Sequence, residues 1–189
     1  MSQNLKNIDF ISPFYDGLAA IEKNGEWAFI NESGDIIIDY RTDLVTRSFG
    51  DKGYPIFNSG RCLIVKKKQG ISYFGFIDKK GKTVIEPQFL NATDFNNGMA
   101  IVLQLHENIL GENDVLDKKV VEYSYTKNVI NSSGEAIMYL SEKPNHVTLS
   151  KEYLRVPPKI GAKFISQKLI AIKNDSNKWT IIQIDEPNQ

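Results

Sequence analysis

Cysteine and histidine are almost absent from this chain, and their scarcity removes several classes of function. The single cysteine, Cys62, leaves no partner for an intramolecular disulfide, so a disulfide-stapled secreted module is excluded. The two histidines, His106 and His146, have neither HExxH spacing nor a nearby C-x-x-C pair, which metal sites use. We therefore expect no metal and no cofactor, and we interpret both histidines as surface-loop residues.

An excess of charge of either sign is also missing. Lys plus Arg equals Asp plus Glu at 23 each, so the chain lacks the basic field that recruits nucleic acid. No run of 18 apolar residues occurs, and the first twenty residues lack a basic segment followed by an apolar one. The sequence therefore predicts a cytoplasmic protein that binds neither nucleic acid nor a membrane.

Catalytic signatures are missing as well. The chain contains no G-x-x-x-x-G-K-[ST], G-x-G-x-x-G or G-x-S-x-G motif. Apolar residues follow Cys62, which favours a buried and inert thiol over a reactive one. We predict that the protein is not an enzyme. A hydrolase that uses Cys62, His106 and His146 is the alternative.

What the sequence does contain is a repeated turn. The pattern Ile-(Asn/Asp)-x-x-Gly occurs at residues 30–34, 77–81 and 130–134, and each copy lies between two apolar or alternating runs. The Asn or Asp side chain can accept a backbone hydrogen bond from two residues on, and the Gly can adopt the positive φ of a tight hairpin. Each copy therefore predicts a β-hairpin.

A second element, Phe-x-x-Gly followed by an apolar run, precedes each hairpin. It begins at Phe14, Phe57 and Phe95, and a partial copy begins at Phe164. In the first unit Asn24-Gly25, a strong hairpin signal, separates this strand from the next one. One unit is therefore strand, turn, strand, Asx-Gly turn, strand. Trp27 and Trp179 occupy equivalent positions, where we expect both to pack in the core; stacking on a ligand is the alternative role.

These units predict an all-β fold, built as a curved array of antiparallel three-strand β-hairpin repeats. A barrel-like or propeller-like closure is the alternative arrangement. The whole chain, 1–189, is predicted to be one domain of about three and a half repeats. The predicted repeats are residues 10–55, 56–94, 95–140 with an insertion at 104–124, and a partial 164–185, with an inserted connector at 140–162.

The units resemble the bacterial WG-repeat family, also called KWG repeats. The second unit matches its pattern best, through Phe74-Gly75-Phe76-Ile77-Asp78 and Gly81-Lys82-Thr83-Val84-Ile85-Glu86-Pro87. The first unit has Trp27-Ala28-Phe29, with Ala28 where the family has Gly. The resemblance implies a β-repeat scaffold and no single activity, so it predicts fold more than function.

The interruptions of the repeat are the candidate functional segments, because insertions in repeat proteins form loops that often cluster on a binding face. The insertion at 104–124 has five acidic residues against two lysines. It is interpreted either as a solvated, extended hairpin or as an acidic surface that meets a basic partner. The candidate partner-binding residues are Glu107, Glu112, Asp114 and Asp117.

A protein-binding module without catalytic activity is the function that these patterns favour. The size, the missing export signal and the absent chemistry suit an immunity-type or inhibitor protein that covers a toxin or an enzyme. The alternative is a ligand-binding module for a glycan or a small molecule, which uses exposed aromatic residues.

Overall fold

The computed structural model describes residues 5–49, 52–113, 118–141, 143–148, 150–174 and 176–184. The all-β prediction is confirmed: antiparallel hairpins form the sheets, and the one helical segment among the described residues is a single 3-10 turn. The chain divides into two compact units. One comprises residues 1–66 with 74–87, and the other comprises 67–73 with 88–189.

The first unit begins with a four-stranded sheet in which consecutive strands are neighbours. Its strands are β1 (Phe10–Tyr15), β2 (Leu18–Lys23), β3 (Glu26–Ile30) and β4 (Ile36–Arg41). A short hairpin follows, formed by β5 (Arg47–Phe49) and β6 (Lys52–Tyr54). The next three strands are again neighbours, and each has residues in both units: β7 (Cys62–Lys68), β8 (Ile71–Ile77) and β9 (Thr83–Ala92).

Two-residue turns close the hairpins between the first strands of a repeat. At Asn24-Gly25 both residues have positive φ, 53° and 80°, as the predicted tight hairpin requires. Asp16-Gly17 and Gln69-Gly70 adopt the same pair of values. Positive φ at both central residues is the mark of a type I′ turn, whose twist matches that of the flanking strands.

The Ile-(Asn/Asp)-x-x-Gly turns have the predicted hydrogen bonds. Asn31 Oδ1 accepts from the amides of Ser33 and Asp35, at 3.0 and 2.9 Å, and Gly34 has φ of 80°. Asp78 and Asn131 accept in the same way from the amides two and four residues on. The side chain therefore organises the turn, and the glycine supplies the left-handed residue.

The core of the first unit lies between its first repeat and the strands that follow. Leu18, Ala20, Trp27 and Phe29 lie on one face of β2 and β3. We call this face the forward face. It packs against residues of the second repeat, namely Phe57, Cys62, Ile64 and Ile77. The Phe29 and Phe57 rings meet edge to face with centroids 4.7 Å apart. Cys62 is 1% exposed, so the predicted burial of its thiol is confirmed.

The second unit contains one long hairpin and a terminal sheet. Its strands are β10 (Met99–Asn113), β11 (Lys118–Asn131), β12 (Ala136–Tyr139), β13 (Asn145–Thr148), β14 (Ala162–Phe164), β15 (Leu169–Lys173) and β16 (Trp179–Gln183). β9 to β12 are neighbours in chain order, and β13 pairs with β11. β14, β15 and β16 form the terminal sheet. The predicted connector at 140–162 contains β13 and the 3-10 turn Lys151–Arg155.

One cluster joins the third repeat to the terminal sheet. Its fully or nearly fully buried members are Ile101, Val129, Ile170 and Ile184. Within the terminal sheet, β15 and β16 contribute to this cluster from only one face, through Ile170, Ile172 and Ile182. The opposite face exposes 48% of Trp179, so the prediction that Trp179 packs in the core is wrong.

Candidate functional site

The insertion at 104–124 is not a separate loop but a continuation of two strands. β10 and β11 stay paired from Met99 opposite Asn131 to Asn113 opposite Lys118. A register shift between Ile109 and Gly111 marks a β-bulge near the far end. The structure therefore has the extended hairpin that was one of the two interpretations of this segment.

The base of this hairpin is anchored in a core of its own. Leu103 is fully buried beside Ile71, Leu90 and Leu154, and Tyr125 packs against the same cluster. Burial raises the pKa of the Tyr125 hydroxyl above its ordinary value. A packed base fixes the direction of the strands beyond it, which is how rigid scaffolds present recognition segments.

The four predicted partner-binding residues are differently placed. Glu107 is exposed on β10 and forms an ion pair with Lys151, whose Nζ lies 2.5 Å from its Oε1. Glu112 lies on β10 near the end of the described strand. Asp114 and Asp117 lie outside the described residues.

Basic groups offset the acidic residues of the hairpin. Burial acts to lower the pKa of Lys151, but the hydrogen bond to Glu107 and its charge outweigh this, so the pKa is raised and the ammonium stays charged. The same Nζ lies 4.8 Å from the centroid of the Tyr123 ring. On β13, His146 Nδ1 lies 2.8 Å from Glu122 Oε1. At Glu107 the surface is therefore mixed in charge rather than purely acidic, and Glu122 has a histidine as its neighbour.

An exposed apolar pair lies on the hairpin, and sequence reasoning missed it. Residues 107–111, here called the distal segment, are all exposed. Within it, Ile109 is 60% exposed and Leu110 is 59% exposed. Leu110 is the extra residue of the β-bulge, so the regular alternation of strand faces does not apply to this pair, and both side chains are open to solvent. The available signal was the apolar pair itself, in the middle of a polar insertion.

The two histidines come together on the sheet, which their sequence separation did not suggest. His106 lies on β10 and His146 on β13, and each is paired with Ser124 on β11. His106 Nε2 lies 2.8 Å from Thr126 Oγ1. The prediction of loop positions is therefore wrong, because both residues belong to strands.

Ser124 between these histidines is 5% exposed, so its hydroxyl is not open to a substrate. A nucleophile that a histidine activates must also be reachable by the reacting group. Among the described residues, no three His, Cys, Asp or Glu side chains group closely enough to hold a metal ion. In the same part of the chain, no helix has the length and apolar character that crossing a bilayer requires.

Comparison with known proteins places two segments of the chain in one family. Residues 6–27 and 74–104 match the family described as WG containing repeat. The first segment covers β1, β2 and the start of β3, and the second runs from the end of β8 through β9 into β10. No curated protein and no solved structure matches the chain. The predicted resemblance to WG repeats is confirmed at these two segments.

Proposed function

We propose that this protein is a non-catalytic protein-binding module and that the β10–β11 hairpin is its recognition element. The observation that carries the proposal is the exposed pair Ile109 and Leu110, held on strands whose base is packed. Exposed apolar side chains on a rigid element, with charged residues around them, are typical of protein–protein contact surfaces.

The partner of this segment is a protein with an apolar cleft and a mixed-charge rim. The apolar pair supplies the area that is removed from water on binding. Glu107 and Lys151, which lie beside it, offer one negative and one positive group to the rim. Rim charges set orientation and association rate more than affinity, so the apolar pair contributes most of the binding free energy.

The specific role that we propose is that of an immunity-type or inhibitor protein, which covers a toxin or an enzyme. A small β-repeat chain with one extended hairpin can insert that hairpin into a cleft and block it. A candidate partner would then lose activity when it is mixed with equimolar protein.

Site-specific photo-cross-linking in the native host tests the recognition element. A benzophenone amino acid is introduced at Ile109 in one variant and at Ile37, an exposed isoleucine of β4, in the matched control. We expect one protein to be cross-linked from position 109 and not from position 37. The double variant Ile109→Ser, Leu110→Ser should abolish co-purification of that same protein.

The cross-linked protein is then purified and mixed with the module, and both the complex and the partner's activity are measured. A one-to-one complex with loss of activity supports the inhibitor role. A complex that leaves activity unchanged would retain the binding module and remove the inhibitor role. Equal cross-linking from both positions, or binding that the double serine variant leaves intact, would contradict the assignment of the hairpin.

A further inference from the structure

The terminal sheet has a face that matches the forward face of the first repeat. In the first repeat Ala20 is paired with Phe29, and in the terminal sheet Ala171 is paired with Ile181. Extending this register along both sheets gives four matched pairs: Leu18 with Leu169, Ala20 with Ala171, Trp27 with Trp179, and Phe29 with Ile181. We call Leu169, Ala171, Trp179 and Ile181 the terminal face.

The two faces differ sharply in exposure. The forward face is buried throughout, with Trp27 at 7% and Phe29 at 1% exposed. On the terminal face Trp179 is 48% and Ile181 is 60% exposed, Leu169 is also exposed, and the small Ala171 is buried. A tryptophan and two branched apolar residues that share one face form a patch that monomeric surfaces seldom leave open without a function.

The first repeat shows what kind of element covers such a face. Its forward face lies under Phe57, Cys62, Ile64 and Ile77, which belong to the next repeat. Part of this cover is therefore the β7–β8 hairpin, which presents Cys62 and Ile64 from one strand and Ile77 from the next, and Phe57 lies just before it. This internal precedent indicates the shape and polarity of an occupant for the terminal face.

The charge beside the two faces is reversed. Glu22, opposite Trp27, forms an ion pair with Lys52, whose Nζ lies 2.6 Å from Glu22 Oε2. The matched residue opposite Trp179 is Lys173, which donates a hydrogen bond to Asn177 Oδ1 at 2.7 Å. A partner that binds the terminal face should therefore carry an acidic group opposite Lys173, at the position that Lys52 occupies opposite Glu22.

A second lysine strengthens this complementarity. The ammonium groups of Lys163 and Lys173 lie 5.1 and 5.4 Å from the centroid of the Trp179 ring. Cations within about 6 Å of an aromatic ring are attracted to its face, so both charges stay beside the apolar patch. Two copies of this chain that met through their terminal faces would bring these lysines against one another, which disfavours self-association.

We propose that the terminal face binds a β-hairpin of a partner protein, which presents branched apolar side chains and a carboxylate opposite Lys173. The apolar side chains bury Trp179 and Ile181, and the carboxylate pairs with the lysine. This surface is distinct from the β10–β11 hairpin, so the two proposals stand or fall separately.

Two synthetic peptides of residues 52–77 serve as probes, because this segment contains Lys52 and the second-repeat residues that pack against the forward face. One peptide keeps Lys52 and the other carries Lys52→Glu. The full-length chain is labelled with 5-fluorotryptophan, and ¹⁹F NMR follows the Trp179 signal, assigned by Trp179→Phe, as each peptide is added. The Trp27 signal reports at the same time that the first unit stays folded.

We expect a saturable shift of the Trp179 signal, with the Lys52→Glu peptide binding about two- to fivefold more tightly, as exposed charge pairs allow. A Lys173→Glu chain should reverse the preference between the peptides. Ile181→Asp should abolish binding, whereas Ile37→Asp, an exposed isoleucine of the first unit, should not change it.

Three results would overturn the proposal. They are no saturable shift with either peptide, equal binding of both peptides by both chains, and binding that persists in Ile181→Asp. Sedimentation velocity of the chain alone checks for a second copy. A dimer that forms with rising concentration and disappears in Ile181→Asp would assign the face to self-association and overturn the acidic partner.

Discussion

The first repeat and the terminal repeat place the same kinds of residue at the same strand positions, but only the first has its forward face buried. Trp27 and Trp179 are matched by register, and only Trp27 is covered. Part of the cover comes from the second repeat, and Phe10, Leu44 and Tyr54 of the first repeat pack in the same cluster. In repeat proteins the unfolding free energy is approximately a sum of contributions from each repeat and from the interfaces between repeats. Comparing the buried Trp27 with the exposed Trp179 therefore measures the interface contribution.

Truncating the two tryptophans should give the largest contrast. Trp27→Ala leaves a cavity against Phe10, whose ring meets that of Trp27 with centroids 5.9 Å apart, and should cost about 3–5 kcal/mol of unfolding free energy. Trp179→Ala removes an exposed side chain and should cost less than about 1 kcal/mol. Urea unfolding of both variants measures the difference. Equal losses would show that the terminal face is covered in solution.

Substitution of Gly75 should have the next largest effect on stability. Gly75 occupies the position that Ala28 holds in the first repeat. A Cβ at Gly75 would collide with the backbone of β9, at Ile85 O, and would lie 2.6 Å from Pro87 N. Gly75→Ala should therefore cost about 1–3 kcal/mol or more, since backbone atoms give way poorly. Gly111→Ala is the matched control, because nothing lies within 4 Å of its added Cβ. Similar melting temperatures for both variants would contradict the close approach.

Asp16 should give a smaller effect that depends on pH. Burial acts to raise its pKa, but hydrogen bonds from Lys79 Nζ, 2.8 Å from Oδ1, and the Gly60 amide, 2.6 Å from Oδ2, outweigh it, so its pKa lies below the ordinary 3.8. A lowered pKa stabilises the fold above the ordinary value, and this contribution is lost as pH falls through the lowered one. Asp16→Asn should therefore be less stable than wild type at pH 7.

The difference between Asp16→Asn and wild type should shrink as the pH is lowered below about 4. Urea unfolding at pH 7, 5 and 3 measures it. Asp35→Asn, which alters an exposed turn residue of the same unit, is the control. A difference that stayed constant with pH would mean that the carboxylate charge has no role in joining these turns.

The smallest effect is expected at the hairpin. Glu107 pairs with Lys151 at the surface, and exposed ion pairs contribute between zero and about 1 kcal/mol. Glu107→Gln should therefore shift the urea midpoint only slightly, and less at high salt than at low salt. A loss as large as that of Gly75→Ala would indicate that the distal segment is part of the core.

The turns were predictable from sequence because their physics is local. Asn31, with Gly34 three residues on, contains the whole hydrogen-bond arrangement of its hairpin, and no distant residue is needed. The exposure of Trp179 was not predictable in this way. Its strand pattern matches that of Trp27, and the difference lies in which residues cover each side chain.

The sequence indicated where the candidate site lies, but it did not indicate which side chains and charges surround it. Acidic residues and length marked the insertion, yet β13 and the 3-10 turn that follows it bring His146 and Lys151 beside two of those acids. The two histidines meet across Ser124 because β13 returns to pair with β11, a connection that sequence spacing does not encode. Whether Ile109 and Leu110 are exposed likewise depends on which other residues pack against them, and their own identity does not show this.

The type I′ turns have a consequence for how the chain folds. Asp16-Gly17, Asn24-Gly25 and Gln69-Gly70 each join strands that are adjacent in sequence, so these contacts form without closing a long loop. Hairpins of this kind form in about 1–10 μs, and proteins rich in local contacts fold quickly for their size. Each repeat can therefore nucleate on its own, and the slower event is the docking of one hairpin on the next.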